Sequence, residues 1–314
     1  MIKIMRTSFI TDYKKLFNDI VDFTVDYIRS NNLQSAILGI SGGIDSTVVA
    51  AILYEASRKL NVNKGEYFKF FGYSLPTDTT NKDEFYASNL VGNSFADEFE
   101  VHNIDNIATK IHEDFGISPD NDCLLGKETC FRRGNIKARL RMSYLYDRAK
   151  AHRGLVVGTD NWTEKLLGFS TIGGGDTADY MPLQNLWKTE VYGIAKYLLE
   201  MYKNQNAFDK AHAMQASIEL APQDGLGISN SDMEQIGAEN YYDVDEILSK
   251  FEKYQWYINM GGDVSDKKRD EYFSDIIEKF GKSVCNNVIG RRTNNFKLNL
   301  PLEFVFDDGE YTDI

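Results

Sequence analysis

The sequence predicts an α/β fold: a doubly wound, mostly parallel sheet flanked by helices, followed by a helical and irregular C-terminal part. Three observations carry this expectation. Short apolar runs at 35–40, 68–75 and 154–158 alternate with segments whose apolar residues recur every three or four positions, as in βαβ units. A glycine-rich turn, Ser41-Gly42-Gly43-Ile44-Asp45-Ser46-Thr47, separates the first apolar run from the first strongly apolar helix. The alternation then fades near residue 205, leaving helical periodicity alone.

Each element has its own justification. Tyr13, Leu16, Ile20, Phe23 and Tyr27 stand three or four apart, so 12–31 reads as a helix. A strand at 35–40, the glycine turn and a helix at 47–60 follow. The run 68–75 reads as a second strand closed by Pro76, with a helix at 82–95 and a short strand at 98–104. A helix at 135–151, a buried strand at 154–158 and an amphipathic helix at 189–201 complete the alternation, and 243–257 is the clearest later helix. Loops are expected at 76–82, 116–134, 172–187 and 222–232. The 314 residues fit a single domain, with a core over 12–204 and a region over 205–314 that completes the site. Ligands of such sheets bind beyond the carboxyl ends of the strands, where the glycine turn lies.

Composition narrows the function. A net charge of −12 argues against general nucleic-acid binding. The segment from Lys127 to Arg153 is locally cationic, which suits a small polyanion. Cys123, Cys130 and Cys285 are too few and too badly spaced for a disulfide framework or a zinc site, so reduced thiols are expected. The N-terminus lacks the apolar run of a signal peptide, and no segment has membrane-spanning length. A soluble cytoplasmic protein is expected.

The glycine turn is built to hold phosphate, because glycines admit a ligand close to the backbone and the following helix presents unpaired N–H groups. No Gly-Lys-Ser/Thr ends it, so it is not a Walker A loop. Asp45 among the phosphate donors argues instead for a pyrophosphate held together with Mg²⁺. The sequence SGGIDS after a strand resembles the pyrophosphate loop of the N-type ATP pyrophosphatases, an adenine nucleotide alpha hydrolase-like fold. Those enzymes cleave ATP between its α and β phosphates and adenylate a carboxylate or carbonyl oxygen.

Further motifs follow in order. Arg133-Gly134-Asn135-Ile136-Lys137-Ala138-Arg139 opens the cationic helix, and Gly158-Thr159-Asp160-Asn161-Trp162-Thr163-Glu164 follows the strand at 154–158. Gly168-Phe169-Ser170-Thr171, Gly173-Gly174-Gly175-Asp176, Ala178-Asp179 and Pro182-Leu183 lead to Lys188. Together these resemble the ammonia-dependent NAD⁺ synthetase family over roughly 12–305. The resemblance implies conversion of deamido-NAD⁺ to NAD⁺ with ATP, Mg²⁺ and ammonia, through an adenylate, with release of AMP and pyrophosphate. It assigns Gly39, Ser41, Gly42, Gly43, Asp45, Ser46, Thr159, Lys188 and Ser217 to ATP, and Asp45 and Glu164 to Mg²⁺. Asp45, Glu164 and Lys188 are the implied catalytic set, and Asn135, Arg139, Asp176, Asp179 and Lys297 the implied deamido-NAD⁺ set. A homodimer is implied, with no nucleic-acid or membrane partner. No glutamine-hydrolysing segment is present, so free ammonia is the expected nitrogen donor.

Departures from the family pattern fall near the nicotinate and ammonia end: Asn161 for histidine, Ile172 for lysine, and an acidic residue displaced from Gly175 to Asp176. Another acceptor for the same ATP chemistry, or a non-catalytic nucleotide-binding paralogue, is the alternative. Intact Asp45, Glu164 and Lys188 weigh against the paralogue.

Overall fold

The computed structural model describes residues 8–62, 67–117, 127–222, 231–263 and 265–299. Four parallel strands form one sheet in the order β3-β2-β1-β4: β1 Ser35–Gly39, β2 Lys69–Ser74, β3 Glu98–Val101 and β4 Gly154–Val157. The chain winds outward from β1 through β2 to β3 and then crosses to the other side of β1. The order therefore reverses between β1 and β4, the place where a doubly wound sheet opens a crevice.

Alternation along β1 sends its side chains to two cores. Ala36 and Leu38, with Ile40 beyond the strand, pack with helices α1 (Tyr13–Ser30) and α2 (Ile44–Leu60) and with two later helices, α7 (Lys188–Asn204) and α8 (Phe208–Glu219). Ile37 on the opposite face packs with Phe71, Val156 and Met142, Leu145 and Ala149 of α5 (Lys127–Ala151). Each fully buried aliphatic side chain here contributes about 1.5–3 kcal/mol. The remaining core-region helices are α3 (Lys82–Phe95), α4 (Asp105–Asp114) and α6 (Trp162–Leu167). Helices α9 (Asp232–Ile236), α10 (Tyr241–Asn259), α11 (Asp266–Phe280) and α12 (Lys282–Thr293) build the C-terminal part. They enclose a separate apolar cluster of Tyr241, Val244, Ile247, Leu248, Ile276 and Val288, joined by Leu166, Leu167 and Trp187.

The structure corrects several expected boundaries. Gly43, extended at φ −69° and ψ 162°, is the N-cap of α2, so the helix starts at Ile44 and Asp45 lies in its first turn, where a carboxylate suits the dipole. β3 ends at Val101 and the chain turns into α4, which the sequence reading left unassigned. α5 begins at Lys127, inside an expected loop, and α6 is a further unexpected helix. Cys285 is a free buried thiol, whereas Cys130 is disulfide-bonded, contrary to the expectation of reduced thiols. Among the described residues no helix is long and apolar enough to cross a membrane.

Candidate active site

The glycine turn is held in shape by its own hydroxyls. Ser41 Oγ accepts the Gly43 N–H at 3.2 Å and lies 3.1 Å from Ser46 Oγ, while the Ser46 and Thr47 hydroxyls donate to the Gly43 carbonyl at 3.0 and 2.9 Å. Gly42 has φ +89°, and a Cβ there would lie 2.5 Å from the Glu84 carbonyl oxygen and 2.7 Å from the Ser88 nitrogen. A left-handed backbone and the close approach of α3 both require glycine.

Beside this turn, between the carboxyl ends of β1 and β4, is a cavity of about 340 Å³. That size and place suit a small-molecule site. Of the residues anticipated from the sequence, Gly39, Ser41, Gly43, Asp45, Thr159, Glu164 and Lys188 line it. Ser217 does not reach it. Ser217 is buried beneath the turn, with its hydroxyl 2.7 Å from that of Thr47.

Lys188 is the focus of the site. It is the first residue of α7, a position where a cation opposes the helix dipole, and it is 2% exposed. Its ammonium donates to Asp45 Oδ2 at 2.5 Å and to Glu164 Oε1 at 2.6 Å. Burial alone lowers a lysine pKa, but the charges of Asp45 and Glu164 and the hydrogen bonds to both hold this one well above its ordinary value. Burial pushes Glu164 upward, and the negative charge of Asp45 adds to it. One ammonium faces two carboxylates.

Asn161 fixes the spacing of the two acids. Fully buried, it donates from Nδ2 to Asp45 Oδ1 at 2.8 Å, while its Oδ1 accepts the Glu164 N–H at 3.0 Å as the N-cap of α6. The sequence Asn161-Trp162-Thr163-Glu164 has capping-box spacing, which was the available signal for this role. Asp160 stands close by, its carboxyl pushed up to about 6 by burial and by the charges of Asp176 and Asp45.

The five residues anticipated for the dinucleotide converge on one loop, 168–179. Asn135 Oδ1 accepts from the Thr171 hydroxyl at 2.8 Å, and Arg139 Nε donates to the Ile172 carbonyl at 2.9 Å. The Lys297 ammonium donates to the Gly168 carbonyl at 2.9 Å and also to that of Ser170. Asp176 Oδ1 accepts the Gly174 N–H at 3.1 Å, and Asp179 ties the loop to β4 through the Val156 N–H at 2.8 Å. These residues support the loop beside the cavity; Gly175 is its point of entry to the lining. Arg141, which the sequence reading did not assign to the site, donates to the Leu75 carbonyl at 3.1 Å and also lines the cavity.

Hard oxygen donors from Asp45 and Glu164 suit Mg²⁺. Two carboxylates are too few for that ion alone, and among the described residues no group of three or more His, Cys, Asp or Glu is placed to hold a metal. A metal here would therefore need further oxygens from outside these side chains.

A parallel sheet with a glycine turn at its switch point, and a buried lysine between two carboxylates, defines a nucleotide-phosphate-binding α/β protein. The sequence matches the NAD synthase family over residues 16–281. The chain belongs to the NAD synthase family. It is 36% identical over 187 residues to the NH(3)-dependent NAD(+) synthetase of Thermococcus sibiricus, a match spanning 60% of this chain and 66% of that one. With the synthetase of the same description from Campylobacter jejuni it shares 30% identity over 241 residues, covering 77% of this chain and 85% of the relative. In fold it resembles the NMN synthetase of Francisella tularensis (TM-score 0.67, 23% identity, 94% of this chain and 99% of that one). The solved Campylobacter jejuni NH3-dependent NAD synthetase gives a TM-score of 0.63 at 22% identity, over 95% of this chain and all of that one (100%).

Proposed function

We propose that this protein converts deamido-NAD⁺ to NAD⁺, using ATP and ammonia and releasing AMP and pyrophosphate. The observation that carries this reading is the Asp45–Lys188–Glu164 cluster in the lining of the glycine-turn cavity. A carboxylate is a weak nucleophile and pyrophosphate leaves with heavy negative charge, so fixed positive charge beside the phosphates is the main source of rate.

In this reading the N–H groups at the start of α2, with Ser41 and Ser46, hold the ATP phosphates. The nicotinate carboxylate attacks the α-phosphorus, and the bond to the β-phosphate oxygen breaks. Lys188 moves from its carboxylates toward the phosphates as charge grows on the leaving pyrophosphate. Ammonia then attacks the acyl carbon and AMP departs. Asp45 and Glu164 would hold Mg²⁺, which when bound supplies charge neutralisation at the phosphates. The loop 168–179, with Asn135, Arg139, Asp176, Asp179 and Lys297 around it, would receive the dinucleotide. We further propose a homodimer in the cytoplasm.

The test is incubation with ATP, Mg²⁺, ammonium and deamido-NAD⁺, with NAD⁺ and AMP followed by chromatography. Equal amounts of both products are expected. AMP without NAD⁺ redirects the search to another acceptor, and nicotinic acid mononucleotide in place of the dinucleotide tests how much of the acceptor is read. Absence of both products overturns the reading. Light scattering tests the dimer: a mass near the 35.8 kDa of one chain overturns it.

A further inference from the structure

The helix that carries Lys188 is only partly capped by its own sequence: Glu190 Oε2 accepts the Trp187 N–H at 2.9 Å, and the N–H groups of the first turn need acceptors from elsewhere. Its N-cap residue is Trp187, whose side chain has no oxygen to offer the free N–H groups of the first turn. Asp245 of α10 supplies one instead. Its Oδ2 accepts the Thr189 N–H at 2.8 Å, and its Oδ1 accepts the Thr163 hydroxyl at 2.5 Å. Thr163 Oγ1 in turn accepts the Lys188 N–H at 2.8 Å. One carboxylate thereby joins the residue before Glu164 to the residue after Lys188. Asp245 and Thr163 are both 0% exposed, so water cannot take over these bonds.

We propose that Asp245 is a positioning residue for the adenylation step, fixing Lys188 and Glu164 relative to each other through Thr189 and Thr163. A second contact from the same helix face supports this. Tyr241, four residues earlier, places its ring 5.3 Å from the Lys188 ammonium and donates its hydroxyl to Asp232 at 2.7 Å. The C-terminal helices thus hold the backbone of the Lys188 turn through Asp245 and its ammonium through Tyr241. The catalytic consequence rests on the proposed function, whereas the geometry does not.

Asp245→Asn separates this role from packing, because the amide has the shape of the carboxylate but offers one acceptor in place of two. Its oxygen keeps the fixed Thr189 N–H. Its NH₂ must then face Thr163, whose oxygen already accepts from Lys188 and whose hydrogen loses its partner. The expected result is a fall in kcat of about 10²-fold, with the KM for ATP changed less than about threefold, since misplacement by about 1 Å has that cost. Thr163→Val should give a similar loss and Thr163→Ser should restore most of it. The double variant Asp245→Asn/Thr163→Val should be no worse than the poorer single one, the signature of a shared path. Amide hydrogen exchange read by mass spectrometry should show lost protection over 188–190 in Asp245→Ala, which removes the acceptor of the Thr189 N–H, and unchanged protection in α1. A kcat within threefold of wild type, or additive losses in the double variant, overturns the proposal. Should the wild-type protein make no NAD⁺, the functional reading fails by itself. Exchange then decides the geometry: protection over 188–190 unchanged by Asp245→Ala overturns it.

Discussion

A lysine at the start of a helix, buried and with two carboxylates within 2.6 Å, sits where helix electrostatics disfavour it. Its partners hold it there. Lys188→Ala should therefore act twice. Turnover should fall roughly 10²–10³-fold with loss of the charge beside the phosphates. Stability should fall by about 3–5 kcal/mol, because Asp45 and Glu164 are left buried without their cation. Denaturant titration and steady-state kinetics check both, and a variant matching wild type in either respect sinks the corresponding half. His112 gives a pH test away from the site. It is buried in α4, burial lowers its pKa, and its Nε2 has no hydrogen-bond partner among the described residues. A histidine whose folded pKa is depressed contributes stability that is present above the unfolded value, about 6.5, and lost as pH falls through the folded one. Tm should thus drop less on going from about pH 7.5 to about pH 5.5 in His112→Gln than in wild type; an equal drop refutes the assignment. At this scale the motif residues were legible in the sequence, since Asp45, Glu164 and Lys188 do meet. Asp245 was not, because it lies 56 residues from Thr189 and 82 from Thr163, and no local pattern spans such separations.

Elements were legible where they were long or uniformly apolar. The period of α1 and the apolar runs of β1, β2 and β4 gave these elements to within a few residues, because burial on one face imposes the repeat. α6 was missed because six residues are too few to show a helical period. α4 was missed because only Ala108 and His112 of it are buried, and two residues make no stripe. The glycine turn was legible as a strand-to-helix turn, yet the start of the helix at Ile44 depends on Gly43 being extended, which sequence does not display. The two glycines of the turn should respond differently to substitution. A methyl at Gly42 meets backbone atoms of α3 at 2.5 and 2.7 Å and demands φ +89°, whereas at Gly43 its nearest neighbour is Ser41 Oγ at 3.4 Å. Gly42→Ala should cost more than the roughly 1–2 kcal/mol of a left-handed alanine, and Gly43→Ala well under 1 kcal/mol. Thermal unfolding of the two variants checks this, and equal Tm values would show that α3 yields to the methyl.

At the scale of the molecule, the sheet region and the C-terminal helices each have an apolar cluster, and α7 runs through both. Trp187 at its start belongs to the C-terminal cluster, while Val191 and Ile194 belong to the sheet cluster. The cavity lies across this seam, with Ser41 and Gly43 on the sheet side and Asp232 of α9 on the other. The two clusters meet along α6 and α7, so a ligand in the cavity lies against both. A nucleotide bound there stabilises whatever unfolds with its site. At a concentration of about 100 times its Kd, a nonhydrolysable ATP analogue with Mg²⁺ adds about 2.7 kcal/mol. For a chain of this size that raises Tm by about 2–4 °C. Calorimetry should show one transition that moves as a whole, with far-ultraviolet circular dichroism and tryptophan fluorescence, to which Trp187 in the C-terminal cluster and Trp162 against it contribute, reporting the same midpoint. Were the C-terminal helices an independent unit, a separate transition in tryptophan fluorescence would stay in place while the sheet's transition moved. That outcome would also weaken the case for Asp245, because a carboxylate on a helix that melts alone cannot hold Lys188 at the temperature where the rest of the site still binds nucleotide.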